Sequence, residues 1–278
     1  MSIRLMYITN NPQIAKIAEA TGVDRVFIDM EYIGKEKRQA GLDSVKLHHT
    51  IEDIRNVRKV INKSELLVRV NPIHEATMEY SDSYDEINAA IDAGADVLML
   101  PMYKSVAEVE KFLRLVNGRA KTQLLTETPE AHRITSEIIR IPEVDEIHIG
   151  LNDLHLAYKK KFMFELLADG TVDEICKIIS NSKKKYGFGG IARIGYGLLP
   201  AEYIIKEHYR LGSTCAILSR AFCNANKIND LEEIEHLFAK ELVRIRKAEV
   251  DASKMTDERL LDNHNAVRKI VDDIVTAK

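Results

Sequence analysis

Short runs of Val, Ile, Leu and Met alternate along this chain with stretches whose apolar residues fall three and four apart, and the order strand then helix repeats eight times. Leu5 to Ile8 opens the series, and Pro12 then suits the first turn of a helix carrying Ile14, Ile17 and Ala18, closed by Gly22. Strands follow at Arg25 to Ile28, Leu66 to Val70 and Val97 to Leu100, then around Gln123 and Ile147, and finally at Phe188 to Ala192 and Cys215 to Leu218. Thr50 and Ser105 stand where helix caps belong, ahead of the apolar faces Ile51-Ile54-Val57-Ile61 and Val106-Val109-Phe112-Leu113-Val116. Such alternation specifies parallel sheet, because parallel neighbours need crossover connections and these are right-handed. Eight units predict an α/β fold, the closed (β/α)8 TIM barrel. The competing open, doubly wound sheet would place its nucleotide fingerprint after the first strand, where Thr9-Asn10-Asn11-Pro12 contains no glycine.

The chain has the length for one such barrel, 278 residues, and with 45% hydrophobic and 30% charged residues it can bury a large core. Residues 1–278 are read as a single TIM-barrel domain, with 229–278 a helical C-terminal extension. Leu231, Ile234, Phe238, Leu242 and Ile245 form one apolar stripe there, and Val267, Ile270, Val271 and Ile274 another. One barrel does not need both, so they either cover its bottom or pack on a neighbouring subunit, and the second is preferred. A net charge of −3 offers no global attraction to nucleic acid, and Lys183-Lys184-Lys185 reads as a solvated helix end. No run approaches the roughly 18 apolar residues of a membrane span, and the start lacks a signal region, so cytoplasm is the expected location. Cys176, Cys215 and Cys223 form neither a disulfide framework nor a zinc ribbon. The cluster Gly187, Gly189, Gly190, Gly195 and Gly197 is read as tight backbone passage near the barrel mouth, with phosphate binding the alternative.

In a parallel barrel all C-terminal strand ends open on one face, so charges scattered in sequence converge there. Glu127 and Asp153 would end the adjacent fifth and sixth strands, close enough to share Mg²⁺ or Mn²⁺, which take oxygen ligands and keep positions for water and substrate. The alternative is that each acid caps a helix or pairs with a base. Asp29 and Glu31 follow the second strand, one expected to face the interior and the other the rim, where they would bind metal-held water or orient Arg69. Arg69 ends the third strand, placed to stabilise a developing enolate oxygen or, alternatively, to pair structurally with Asp29 or Glu31. Past Gly150, the helix beginning at Leu151-Asn152-Asp153-Leu154 would offer backbone N–H groups to a substrate carboxylate. The long polar segment from Ile33 to Thr50, with Lys35, Lys37 and Arg38, would form a lid over a second anionic group.

At these residues the chain resembles a known group. Phe27-Ile28-Asp29-Met30-Glu31, Leu67-Val68-Arg69-Val70-Asn71-Pro72, Ala93-Gly94-Ala95-Asp96 with Pro101, Glu127-Thr128-Pro129-Glu130-Ala131 and Ile149-Gly150-Leu151-Asn152-Asp153-Leu154 are similar to the successive motifs of the hydroxy-oxo-heptanedioate aldolase and citrate lyase β-subunit family. That family lies within the phosphoenolpyruvate/pyruvate barrel superfamily, and the similarity runs in order from about residue 20 to 222. The resemblance implies a divalent metal on Glu127 and Asp153, Arg69 on a pyruvate or enolate oxygen, and backbone amides near Gly150, Asn152 and Asp153 on the carboxylate. It also implies a homo-oligomer, trimer or hexamer. One departure stands out: the aldolase branch has a histidine acting as base directly after Asp-x-Glu, and here that place is Tyr32. Free tyrosine titrates near 10 and is a poor neutral-pH base, so Tyr32 is expected at the mouth near the metal in a hydrogen-bonding or stacking role. His48, His49, His74 and His155 are the candidate replacements.

The resulting expectation is a metal-dependent carbon–carbon lyase of aldolase type, acting on a 2-oxo acid or related hydroxy carboxylate through a stabilised enolate. The alternatives are an acyl-CoA lyase and, in another class, a barrel that binds metal and carboxylate without catalysis.

Overall fold

The computed structural model describes residues 2–35, 49–228 and 230–277. Eight parallel strands close into a barrel in sequence order: β1 (Arg4–Ile8), β2 (Arg25–Asp29), β3 (Glu65–Arg69), β4 (Val97–Leu100), β5 (Lys121–Thr126), β6 (Glu146–Ile149), β7 (Lys185–Ile191) and β8 (Cys215–Leu218). The crossovers carry α1 (Pro12–Thr21), α2 (Ile51–Arg58), α3 (Ser83–Asp92), α4 (Val106–Val116), α5 (Pro129–Arg133), α6 (Thr135–Ile138), α7 (Leu151–Ala157), α8 (Glu165–Ala168), α9 (Thr171–Ser180) and α10 (Ala201–Arg210). No described helix is long and apolar enough to cross a membrane.

Local chemistry explains where the helices begin. Asn11 accepts from the N–H groups of Gln13 and Ile14 ahead of Pro12, while Thr50 with Asp53 and Ser105 with Glu108 form reciprocal capping boxes on α2 and α4. Inside the barrel Met6, Phe27, Leu67, Val97, Met99, Leu125 and Cys215 form an apolar plug separate from the larger core between sheet and helices. The β7–β8 register shifts between Gly187 and Gly190, and a Cβ at Gly187 would run into the Cys215 carbonyl, so tight backbone passage accounts for this glycine.

Beneath the plug, the lower barrel is closed by ions. The fully buried Arg25 donates from Nη1 and Nη2 to Glu146 at 2.6 and 2.9 Å and from Nε to Glu65 at 2.7 Å. Arg4 reaches Glu146 at 2.6 Å, and Gln123 donates to it at 3.1 Å.

Beyond β8 come α11 (Leu231–Ala252) and α12 (Asp257–Thr276), and their packing corrects the preferred reading of their stripes. Ile234, Phe238, Leu242 and Ile245 of α11 are buried within the same chain, against α1 and α10, and Val267 and Val271 of α12 are buried against α10 and α8. Glu249 of α11 accepts the Ile3 N–H at 2.6 Å, and Arg246 donates to the Ile3 carbonyl at 2.7 Å, so α11 also seals the barrel bottom. The basic run differs too: α9 ends at Ser180, Lys184 donates to the carbonyls of Ile141 and Val144, and Lys185 opens β7.

Candidate active site

Above the plug a cavity of about 730 Å³ opens at the C-terminal strand ends. Its walls include Arg69, Glu127, Gly150, Asn152 and Asp153, so five of the residues singled out in the sequence share one space. Asp29 and Lys35 line it as well, and Glu31 lies buried beside Arg69.

The β2–β3 register pairs Asp29 with Arg69. Arg69 donates from Nε and Nη2 to the two oxygens of Asp29 at 2.8 and 2.7 Å, and its Nη1 lies 3.4 Å from Glu31. Lys35 closes the other side, 2.7 Å from Asp29 and 3.7 Å from Glu31. The expectation that only one of the two acids faces inward was wrong: residues two apart lie on the same side of an extended chain, and both acids meet Arg69. Phe27 lies beneath the guanidinium, 5.7 Å from its carbon to the ring centre, and helps fix its plane. Burial opposes the charge on Asp29, but Arg69 and then Lys35 outweigh it and hold its carboxyl well below the carboxylate range. Burial likewise opposes the charge on Arg69, and Asp29 and Glu31 outweigh it and push its pKa up.

Glu127 is in the opposite situation. Burial, then the charges of Glu31 and Asp153, push its carboxyl well above the usual value despite Arg69 and the Met102 N–H, which donates to it at 3.1 Å. Met102 adopts a left-handed backbone, φ 54°, to aim that N–H. Gly150 makes the close fit possible, since a Cβ there would lie 2.8 Å from the Glu127 Cβ. A buried carboxylate crowded by two others is a donor set that fits a hard divalent cation, whose charge removes the repulsion. Among the described residues no group of three or more His, Cys, Asp or Glu forms a ready ligand cage. Two carboxylates with water and substrate completing the shell is the arrangement such ions use.

Gly150 caps α7 with no side-chain hydrogen bond, but its own N–H is already given to the Thr126 carbonyl at 3.0 Å. Any carboxylate-binding amides are therefore those further into the turn, around Asn152 and Asp153.

Tyr32 is not among the cavity-lining residues, which corrects its expected place near the metal. The Asn71 side chain accepts the N–H groups of Tyr32 and Ile33 at 2.9 and 3.0 Å, and the Tyr32 ring packs edge-on against Tyr80 with centres 6.0 Å apart. Burial, then Glu86, Tyr80 and Glu79, raise the phenol's pKa further from neutrality. Of the four replacement histidines, His48 lies outside the described residues, as do Lys37 and Arg38 and most of the expected lid. His74 hydrogen-bonds the carbonyls of Pro72 and Ser81 away from the cavity, whereas His49 and His155 line it. His155 holds the Leu151 carbonyl through Nδ1 at 3.1 Å, and His49 accepts the Asp29 N–H through Nδ1 at 3.0 Å. Sequence reasoning missed His148 on the cavity floor, where burial pushes its pKa down to about 4, and the far wall with Asn10, Ser219, Arg220 and Asn224. Strand alternation would have placed His148 inside the barrel. No comparable signal marks the far-wall residues beyond the strand ends.

No curated protein matches the chain significantly. Solved structures share the fold at low identity. An HpcH/HpaI aldolase/citrate lyase family protein from Burkholderia cenocepacia J2315 superposes with a TM-score of 0.62 at 14% identity, covering 84% of this chain and 95% of that one. The citrate synthase SbnG gives 0.58 at 15% identity over 88% and 94%. A citrate lyase from Burkholderia xenovorans LB400 gives 0.56 at 14% over 98% and 92%. The model of one sequence family, HpcH/HpaI aldolase/citrate lyase, matches residues 4–185 and so takes in β1 to β6, Arg69, Glu127 and Asp153. The chain belongs to the HpcH/HpaI aldolase/citrate lyase family.

Proposed function

We propose that this protein is a divalent-metal-dependent carbon–carbon lyase of aldolase type, acting on a 2-oxo acid or related hydroxy carboxylate through an enolate. The observation that carries this reading is the convergence of Arg69, Glu127 and Asp153 on one cavity. Mg²⁺ or Mn²⁺ held by Glu127 and Asp153 would supply positive charge to stabilise an enolate. Arg69 spends two of its five N–H donors on Asp29, which fixes the fork in place and leaves it able to hold a substrate oxygen without reorganising. Amides around Asn152 and Asp153, in a turn without a side-chain cap, suit the substrate carboxylate. The apolar floor of Phe27, Met99 and Leu125 excludes water beneath the reacting carbons.

The test is exchange of pyruvate methyl protons in deuterated water with Mg²⁺ or Mn²⁺ present. Metal-dependent exchange is expected. Affinity for pyruvate without exchange, and without turnover across 2-oxo acids, hydroxy acids and acyl-CoA esters, would favour a binding-only barrel instead. We also infer a homo-oligomer, with the exposed Val243, Val250 and Leu261 of α11 and α12 as the apolar surface in favour of association; the trimer or hexamer rests on the family resemblance alone. Light scattering that finds only monomer at micromolar concentration would reject it.

A further inference from the structure

Which nitrogen of a histidine carries the proton decides whether it can give or take one. The Asp29 peptide N–H donates to Nδ1 of His49 at 3.0 Å. A peptide N–H can only donate, so Nδ1 must be the bare, accepting nitrogen, and in the neutral ring the proton sits on Nε2. The ring is 7% exposed and lines the same cavity as Arg69, Glu127 and Asp153. Nε2 has no hydrogen-bond partner among the described residues, and it is not one of the buried unpartnered side-chain atoms found among them, Gln123 Oε1, His208 Nε2 and Asn263 Oδ1. With Nδ1 tied to the strand backbone, Nε2 is the nitrogen that a ring lining the cavity has to offer it.

The backbone that carries the ring is firmly held. His49 directly precedes Thr50, the N-cap of α2, whose capping box with Asp53 ties down the turn. Asp29 links the ring to the guanidinium: its backbone holds His49 while its carboxylate holds both arms of Arg69. One residue thus positions two donors at the same wall. Among the described residues the charged groups around the ring are Asp29, Asp53, Lys35 and Arg69. Burial lowers the imidazole's pKa, Asp29 and Asp53 act against it, and Lys35 and Arg69 add to it, a balance that favours the neutral ring.

We propose that His49 is a catalytic hydrogen-bond donor, a neutral imidazole presenting Nε2–H to a substrate oxygen held beside Arg69, and that it does not serve as the base. The proposal rests on the lyase reading above. A neutral donor suits an oxygen that gains charge during reaction, because it strengthens its bond as charge develops without first having to lose a proton. Service as a base would require Nδ1 to release the Asp29 N–H, leaving a buried donor unpaired.

The experiment is ¹H–¹⁵N correlation of the histidine rings in the full-length protein with Mg²⁺, with the His49 signals assigned by their loss in His49→Gln. The expected spectrum shows a neutral ring protonated on Nε2 from pH 6 to 8, with the Nε2 signal shifting when pyruvate is added. Pyruvate proton exchange should fall about a hundredfold in His49→Leu and stay within about tenfold in His49→Gln, whose amide can both accept from Asp29 and donate to substrate. Protonation on Nδ1, or an imidazolium at pH 7, would overturn the assignment, and this spectrum needs no variant to be active. A wild-type protein that exchanges pyruvate protons while the Nε2 signal stays still would defeat the role of His49 alone. A wild type that neither exchanges nor shifts would defeat the lyase reading and this proposal together.

Discussion

The lower end and the mouth of the barrel are built from the same side chains, arginines against carboxylates, yet they are balanced differently. Below the plug, Arg25 faces Glu146 and Glu65, with Arg4 and Lys121 completing the set. Burial opposes ionisation of both acids, but Lys121 and Arg25 outweigh it and hold Glu65 down at about 2, and Arg25 with Arg4 keeps Glu146 below its usual value. At the mouth, Arg69 and Lys35 satisfy Asp29, while Glu127 is pushed up by burial and by its acidic neighbours. A closed ion network belongs to the scaffold, whereas a carboxylate kept under repulsion is one whose strain a divalent cation would relieve. The contrast matches the general division of such barrels into a stabilising lower face and a chemical upper one.

The largest effect is expected at the closed end. Glu146→Gln takes from the buried Arg25 the carboxylate that meets both Nη atoms, leaving Glu65 alone against its charge, and should cost about 3–5 kcal/mol in denaturant unfolding without changing metal affinity. Stability lost equally from Glu127→Gln would erase the distinction between the two ends.

Arg69→Lys comes next. It keeps the charge but loses the fork that holds Asp29, so pyruvate proton exchange should slow by about ten- to a hundredfold with little change in unfolding. Equal exchange rates would give Arg69 a purely structural role and make the mouth resemble the bottom.

Acid sharpens the comparison more gently. Because the folded pKa of Glu65 is depressed from 4.5 to about 2, its contribution to stability is present above pH 4.5 and lost as the pH falls towards 2. Glu65→Gln should flatten that limb of the stability curve, and an unchanged curve would show that the lower network carries no charge-linked stability.

The smallest effect is expected for Tyr32→Phe. With its ring on Tyr80, the variant should exchange pyruvate protons within about twofold of wild type, and a severe loss with intact folding would return the phenol to the chemistry.

The barrel and the convergence of its strand-end charges on one cavity were legible because strand ends reveal themselves one at a time: an apolar run stops at Arg69, or at Glu127, and parallel topology gathers the ends. Glu146 pairs with Arg25 across 121 positions, so no local pattern could announce that closure. His49 returns to Asp29 after a long polar segment and looked no different from three other histidines. Tyr32 follows the strand-end acids, but the Asn71 side chain turns its backbone aside, a contact no spacing rule contains. The C-terminal stripes had the expected helical period, yet period does not say what covers a face, and here the same chain does.

Calorimetric titration of Mg²⁺ and Mn²⁺ tests the central claim most directly, on wild type, Glu127→Gln, Asp153→Asn and Glu146→Gln. We expect one ion per chain in wild type and in Glu146→Gln, with binding weakened at least about tenfold in each mouth variant, while Glu127→Gln unfolds no more easily than the metal-free wild type. Wild-type metal affinity in both mouth variants, or none in the wild type, would contradict the assignment of the mouth carboxylates to a divalent cation.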